Sequence, residues 1–80
     1  MENWNALASN ILRAELKRRG MTYDQLHSNL TNIGVIDSVN SIRIKISRGT
    51  FQFAFFLQCA AAIGIKNLNL TDLIDHNAAV

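Results

Sequence analysis

Six polar or basic side chains fall within nine consecutive residues near the middle of this 80-residue chain. They are Asn40, Ser41, Arg43, Lys45, Ser47 and Arg48. An Asn amide can pair with the edge of adenine and an Arg guanidinium with the edge of guanine, whereas Lys and Arg also bind phosphate oxygens. These residue types suit a surface that binds nucleic acid, with Asn40 and Arg43 as the favoured base readers. Ser41 and Ser47 are further candidates for base contacts. We expect Lys45 and Arg48 to contact phosphates.

These side chains can act together only if one element presents them, and the flanking residues predict a helix at residues 38–48. Asp37 is a good N-cap, and Gly49 is a good stop at the C-terminal end. With about 100° of rotation per residue, the apolar side chains form a narrow stripe and leave a wide outer face. The stripe comprises Val39, Ile42 and Ile46, and the outer face comprises Asn40, Arg43, Ile44 and Ser47.

Ile44 is the apolar member of this outer face, at about 160° from the centre of the apolar stripe. A thymine methyl group is one partner for such a side chain. The alternatives are that the face packs against another subunit, or that the helix is rotated relative to this estimate.

Positive charge is concentrated in the first half of the chain. Residues 13–48 contain seven of the eight cationic side chains and three carboxylates, a net charge of +4, whereas each flank carries −1. This asymmetry is expected of a face that binds nucleic acid and is backed by a core. Further candidates for the site are Lys17, Arg18, Arg19 and Thr22. An ordinary solvated surface is the alternative, because cations also stabilise the C-terminus of a helix.

The whole chain is predicted to be one all-α domain, residues 1–80, folded as a compact bundle of about five helices. It has 49% hydrophobic residues and no proline, which favours helices around a dense core. Apolar spacing, capping residues and glycines indicate the helix ends. The predicted helices span residues 4–19, 22 to between 32 and 34, 38–48, 51–63 after a cap at Thr50, and 70–76 after a cap at Asn69.

The fourth predicted helix has more aromatic side chains than one side of a small bundle can bury. Its four phenylalanines lie within six residues, at positions 51, 53, 55 and 56. We expect Phe51 and Phe55 to form a homodimer interface, which would also match a two-fold symmetric DNA site. The alternative is a docking surface for another protein.

Catalysis, metal binding and membrane insertion have little support in the sequence. Cys59 is the single cysteine, and neither His27 nor His76 belongs to a set of metal ligands or catalytic groups. No glycine-rich phosphate loop is present, and no cofactor is expected. The apolar run at residues 51–65 is shorter than the roughly 20 residues that cross a bilayer. Because no secretion signal is present, the chain is expected to be a cytoplasmic protein, and it is not expected to be an enzyme.

Several short motifs resemble the helix-turn-helix domains of the phage-repressor and Cro class. In chain order they are LKRRGMTYDQL, ISRG, AAIGI and LTDLI. More closely, LRAELKRRGMTYDQL, KISRGTF and FFLQC resemble a family of small bacterial domains of unknown function that is itself similar to that class. The resemblance implies a supporting helix at residues 23–30 and a reading helix at residues 38–48.

Together these observations predict a DNA-binding regulator of transcription. It would be a homodimer that reads the major groove of double-stranded DNA with residues 38–48. The alternative prediction is a protein-interaction module, an inhibitor or adaptor, that contacts its protein partner through the Phe-rich helix at residues 51–63.

Overall fold

The computed structural model describes residues 3–68, which form four α-helices and contain no strand. The helices are α1 (Trp4–Arg18), α2 (Tyr23–Asn32), α3 (Val39–Arg48) and α4 (Phe53–Ile63). The predicted all-α class is therefore confirmed for this part of the chain. Four of the five predicted helices are present. The fifth, at residues 70–76 with its cap Asn69, lies outside the described residues.

The ends of α1 and α2 follow the capping signals of the sequence. Before α2, the Thr22 hydroxyl accepts a hydrogen bond from the Gln25 amide at 3.1 Å, and the Gln25 side chain accepts one from the Thr22 amide at 2.8 Å. Together they form a reciprocal capping box, which the three-residue spacing of Thr22 and Gln25 favours. At the start of α1, the Asn3 side chain accepts from the Ala6 amide at 3.0 Å.

The starts of α3 and α4 differ from the predictions. Ser38, not Asp37, caps α3, because its hydroxyl reaches the Ser41 amide at 3.0 Å, three residues on. The carboxylate of Asp37 accepts instead from the amide of Ser38, one residue on. Thr50 likewise does not cap α4, whose cap position is held by Gln52 without a side-chain hydrogen bond.

Every helix contributes to the core, and α3 contacts both α1 and α2 while α2 also contacts α4. The core residues are Leu12, Leu16, Leu26, Leu30, Ile42, Ile46, Phe55, Cys59 and Ile63. Full burial of a Leu or Ile side chain contributes about 1.5–3 kcal/mol, so these residues supply most of the driving force for folding. Burial on α1 does not strictly follow polarity, because Trp4 is exposed whereas Ser9 and Glu15 are buried.

The end of α3 lies directly against the first turn of α1, and a glycine permits this approach. Gly49 adopts a left-handed conformation with φ of 69° and follows the last residue of α3. A Cβ atom at this position would lie 1.8 Å from the carbonyl oxygen of Asn5. Because no side chain fits there, a glycine at position 49 is required for α1 and the C-terminal end of α3 to lie this close.

Substitution of this glycine should therefore destabilise the fold more than substitution of an equivalent helix-capping glycine. Gly64 also ends a helix with a positive φ, but a Cβ atom there would meet nothing within 4 Å. We expect Gly64→Ala to lower the free energy of unfolding by about 1–2 kcal/mol through backbone strain alone. Gly49→Ala should lose a further ~1–3 kcal/mol through overpacking against Asn5. Urea denaturation of both variants measures the difference, and equal losses would contradict the close approach of α1 and α3.

Candidate nucleic-acid interface

The outer face of α3 is open to solvent. Ile42 and Ile46 are fully buried in the core, which confirms the predicted orientation of the helix. The exposed residues follow at spacings of three and four, and they are Asn40, Arg43, Ile44 and Ser47. Ile44 is 41% exposed and lies between the polar members of this face.

Two contacts join this outer face to the neighbouring helices. The guanidinium of Arg13 in α1 donates a hydrogen bond to the Ser47 hydroxyl at 3.2 Å. The guanidinium of Arg43 lies 5.7 Å from the centre of the Tyr23 ring at the start of α2, within the range of a cation–π contact. Both contacts bring residues that are distant in sequence to the edges of α3.

A shallow depression between α1 and α2 continues the same surface. Its volume is about 450 Å³, and it is lined by Arg13, Leu16, Lys17, Met21, Thr22 and Tyr23. We call the combined surface the basic face, and it consists of Arg13, Lys17, Thr22, Tyr23, Asn40, Arg43, Ile44 and Ser47. The basic face therefore presents exposed polar side chains on α3 beside cations on α1.

The cations of the basic face are not neutralised by carboxylates within residues 3–68. Among these residues, Arg13, Lys17 and Arg43 form no ion pair with a carboxylate, and neither does the exposed Arg48 at the end of α3. Lys and Arg side chains are able to bind phosphate oxygens.

Arg18 and Arg19, by contrast, form ion pairs and hydrogen bonds within the domain. Both pair with the buried carboxylate of Glu15, Arg18 at 2.7 Å. Arg19 also donates from Nε to the carbonyl oxygen of Ile63 at 3.1 Å, which ties the end of α1 to the end of α4. At about 100° per residue, Arg18 and Arg19 lie roughly 140° and 120° around α1 from Arg13. The structure thus places them away from the basic face.

Lys45 is similarly turned away from the outer face. Its ammonium group pairs with the Asp37 carboxylate at 2.6 Å and lies 5.1 Å from the centre of the Phe55 ring. The hydrogen bond from Lys45 is the main cause that lowers the pKa of Asp37 below its ordinary value. Ser41 is half-buried on the same side of α3, and a hydrogen bond from its side chain also lowers the pKa of Asp37. Lys45 and Ser41 therefore flank the outer face and are not part of it.

The predicted dimer interface needs a correction, because Phe55 is buried in the core with 6% of its surface exposed. Phe55, Cys59 and Ile63 follow at four-residue spacing and form the inward stripe of α4. Phe51 precedes the helix, is half-buried and packs its ring 5.6 Å from that of Phe55. The exposed apolar side chains of α4 are Phe53 at 71% and Leu57 at 52%.

Arg13 and Tyr23 belong to the basic face but were not among the residues predicted for the site. A signal for Arg13 exists in the sequence, since Arg13 and Lys17 are four residues apart and share one side of α1. Tyr23 has no such signal, because its contact with Arg43 depends on how α2 and α3 pack.

The described part of the chain, residues 3–68, contains no cluster of catalytic groups or of metal ligands. Burial raises the pKa of the Cys59 thiol to about 12, so this thiol is a core side chain and a poor nucleophile. Within residues 3–68, no group of three or more His, Cys, Asp or Glu side chains is placed to hold a metal ion. None of the four helices combines the length and the apolar character required of a membrane span.

The pairing of Glu15 predicts a specific dependence of stability on pH. Burial alone would raise the pKa of Glu15, but hydrogen bonds from Arg19 and Arg18 lower it below its ordinary value of 4.5. A carboxyl group whose pKa is lowered in the folded state stabilises the fold above the unfolded pKa, and this contribution is lost as the pH falls through the folded pKa.

We therefore expect the free energy of unfolding of the wild type to fall as the pH drops below about 4.5, the ordinary value for Glu. Glu15→Gln should be less stable at neutral pH and should lose less on acidification, because its side chain cannot be protonated in this range. Asp24→Asn is the matched control, since Asp24 is exposed and forms no ion pair within residues 3–68. Urea denaturation across the acidic range measures all three proteins. Parallel pH curves for the wild type and Glu15→Gln would contradict this role.

Comparison with known families gives one match. Residues 4–68 match the family described as Domain of unknown function (DUF6471). No curated protein and no solved structure matches the chain. The matched region contains all four helices and every residue of the basic face.

Proposed function

We propose that this chain, which belongs to the DUF6471 family of domains of unknown function, binds double-stranded DNA through α3 and regulates transcription. The observation that carries the proposal is the composition of the basic face. Side chains able to read bases lie exposed on one side of a ten-residue helix, and cations without carboxylate partners in the described part lie beside them. This combination is what recognition of DNA in the major groove requires.

In this proposal the outer face of α3 contacts base edges. The major groove is about 12 Å wide and admits an α-helix. Asn40 would pair with adenine, Arg43 with guanine, and Ile44 would contact a thymine methyl group. Ser47 would add a hydrogen bond at the end of the helix where Arg13 holds it. The cation–π contact with Tyr23 would restrain the guanidinium of Arg43 before it meets DNA.

The cations at the edges of α3 would bind phosphates. Arg13 and Lys17 would contact the backbone on the side of α1, and Arg48 would contact it beyond the end of α3. Thr22 would place the start of α2 near the same strand, where free amide groups favour an anion. The structural partners of Arg18, Arg19 and Lys45 argue for roles in stability, so these three predicted contacts are not retained in the proposal.

The arrangement of α2 and α3 is compatible with a helix-turn-helix unit. The two helices follow one another, contact each other and are joined by six residues, 33–38. Repressor-like domains use the first helix of this unit to cross the DNA backbone and the second to enter the groove. The proposal assigns these roles to α2 and α3.

A homodimer on a two-fold symmetric site is part of the same proposal. One ten-residue helix contacts few base pairs, and a second copy would double the contact with half-sites about 34–36 Å apart. Leu57, exposed on α4, is our candidate for the contact between the copies, because Phe55 is buried.

A second candidate function is a protein-interaction module on the same fold. The observation that favours it is the exposure of Phe53 and Leu57, which lie four residues apart on one side of α4. Exposed apolar pairs of this kind often belong to an interface. In this case α4 and not α3 would contact the partner.

The salt dependence of DNA binding tests the main proposal. We expect the wild type to bind mixed-sequence duplex DNA with an affinity that falls steeply as salt rises. In a plot of the logarithm of the binding constant against the logarithm of salt concentration, the slope is negative, and its magnitude should decrease by about 0.9 for each lost phosphate contact. Arg13→Gln with Lys17→Gln should therefore reduce the slope by about 1.8. Fluorescence anisotropy over a salt series, with folding checked by circular dichroism, provides the measurement.

The matched control removes the same net charge from outside the basic face. Arg18→Gln with Lys66→Gln should leave the slope close to that of the wild type. Equal slopes for the two double variants would show that binding depends on net charge and not on the basic face. Absence of binding by the wild type at low salt would contradict the proposal and favour the protein-interaction module.

A further inference from the structure

Tyr23 occupies a fixed position at the start of α2. It shares the inward side of this helix with Leu26 and Leu30, which are fully buried. The capping box of Thr22 and Gln25 fixes the backbone of the same turn. The Tyr23 side chain is itself half-buried and packs against the hydrophobic core. Packing therefore holds the ring in place, next to α3.

The guanidinium of Arg43 in α3 lies over this ring. Its central carbon is 5.7 Å from the ring centre, within the range of a cation–π contact. Such a contact engages the charge of the guanidinium and uses none of its N–H donors. Arg18 differs, because it donates a hydrogen bond to the Glu15 carboxylate at 2.7 Å. The contact with Tyr23 thus restrains Arg43 and leaves its hydrogen-bonding groups available to another partner.

This restraint matters because an arginine at a DNA surface has two kinds of partner. It can donate two hydrogen bonds to O6 and N7 of guanine, or it can bind phosphate oxygens. The pair of bonds to guanine requires the planar guanidinium in one place and one orientation. Ordering a flexible side chain opposes binding, and a side chain that is already restrained loses less freedom. Restraint therefore favours the contact that demands the stricter geometry.

We propose that Tyr23 is a positioning residue that makes Arg43 selective for guanine, so that the DNA bound by this domain carries a G·C pair opposite Arg43. The inference rests on the proposed function, because it requires α3 to lie in the major groove. Tyr23 acts through Arg43 and not by contact with a base. Without the ring, the guanidinium reaches nearby phosphates as well as guanine, and the preference for G·C over A·T falls.

The base that Arg43 reads is identified first, with the full-length chain. The wild type is mixed with a pool of duplexes of random sequence, and the bound duplexes are sequenced. Arg43→Lys keeps the positive charge but lacks the planar guanidinium. It should weaken the preference for guanine at one position of the selected site, and that position belongs to Arg43.

Two duplexes that carry G·C or A·T at this position then measure the effect of the ring. Fluorescence anisotropy gives the ratio of their dissociation constants. Tyr23→Leu should reduce this ratio about two- to fivefold, the effect expected from loss of an exposed cation–π contact. Tyr23→Phe retains the ring and should retain the ratio. Phe56→Leu is the matched control, because it removes a half-buried ring from α4 and should leave the ratio unchanged.

A double-mutant cycle separates positioning from a general loss of structure. In the Arg43→Lys background, Tyr23→Leu should have no further effect on the ratio, because no guanidinium remains to be positioned. Circular dichroism checks the fold of each variant. Tyr23→Met, whose flexible side chain fills irregular gaps, is a second variant without the ring should Tyr23→Leu not fold.

The outcomes distinguish failure of this inference from failure of the proposed function. The inference alone is overturned if Tyr23→Leu keeps the wild-type ratio, or if the same loss occurs in the Arg43→Lys background. An equal loss in Tyr23→Phe also overturns it, because the hydroxyl and not the ring would then be responsible. A selected site without a guanine that depends on Arg43 excludes the inference as well. Absence of DNA binding by the wild type overturns both.

Discussion

Burial of Ile42 and Ile46 in the core determines how α3 is oriented on the domain. A helix of ten residues with two fully buried side chains four positions apart has almost no freedom to rotate about its axis. The rotation determines which residues face solvent, and those of the outer face are Asn40, Arg43, Ile44 and Ser47, with Arg48 exposed at the end of the helix. At the end of the same helix, Gly49 allows α3 to approach the backbone of α1. Core packing thus positions a surface that takes no part in the core.

Two carboxylates divide the cations of this chain into two groups. Glu15 engages Arg18 and Arg19, and Asp37 engages Lys45. These pairs hold the end of α1 and the start of α3 in place. The cations that lie next to the outer face of α3 have no such partners among the described residues, and their contacts are with a hydroxyl or an aromatic ring. Such contacts orient a guanidinium without neutralising its charge.

Much of the local structure could be predicted from the sequence because it depends on short-range spacing. The capping box of Thr22 and Gln25 and the apolar stripe of α3 are set by residues three or four positions apart. The choice of Ser38 over Asp37 as a cap was not predictable, since both side chains can cap, and in the structure Asp37 pairs with Lys45 while Ser38 bonds the Ser41 amide. The burial of Phe55 and the contact of Arg19 with Ile63 depend on how distant helices pack. For the same reason, charge alone could not separate the cations of the basic face from those that stabilise the fold.

NMR mapping of DNA binding, residue by residue, would test whether α3 contacts the DNA. Isotope-labelled full-length chain would be titrated with a duplex of mixed sequence at low salt, and the backbone amide shifts would be followed by NMR. Binding through α3 predicts that the largest changes fall on Asn40, Arg43, Ile44 and Ser47, with smaller changes at Lys17 and Thr22. Changes centred on Phe53 and Leu57, or no changes at all, would contradict the assignment of α3 as the DNA-binding surface.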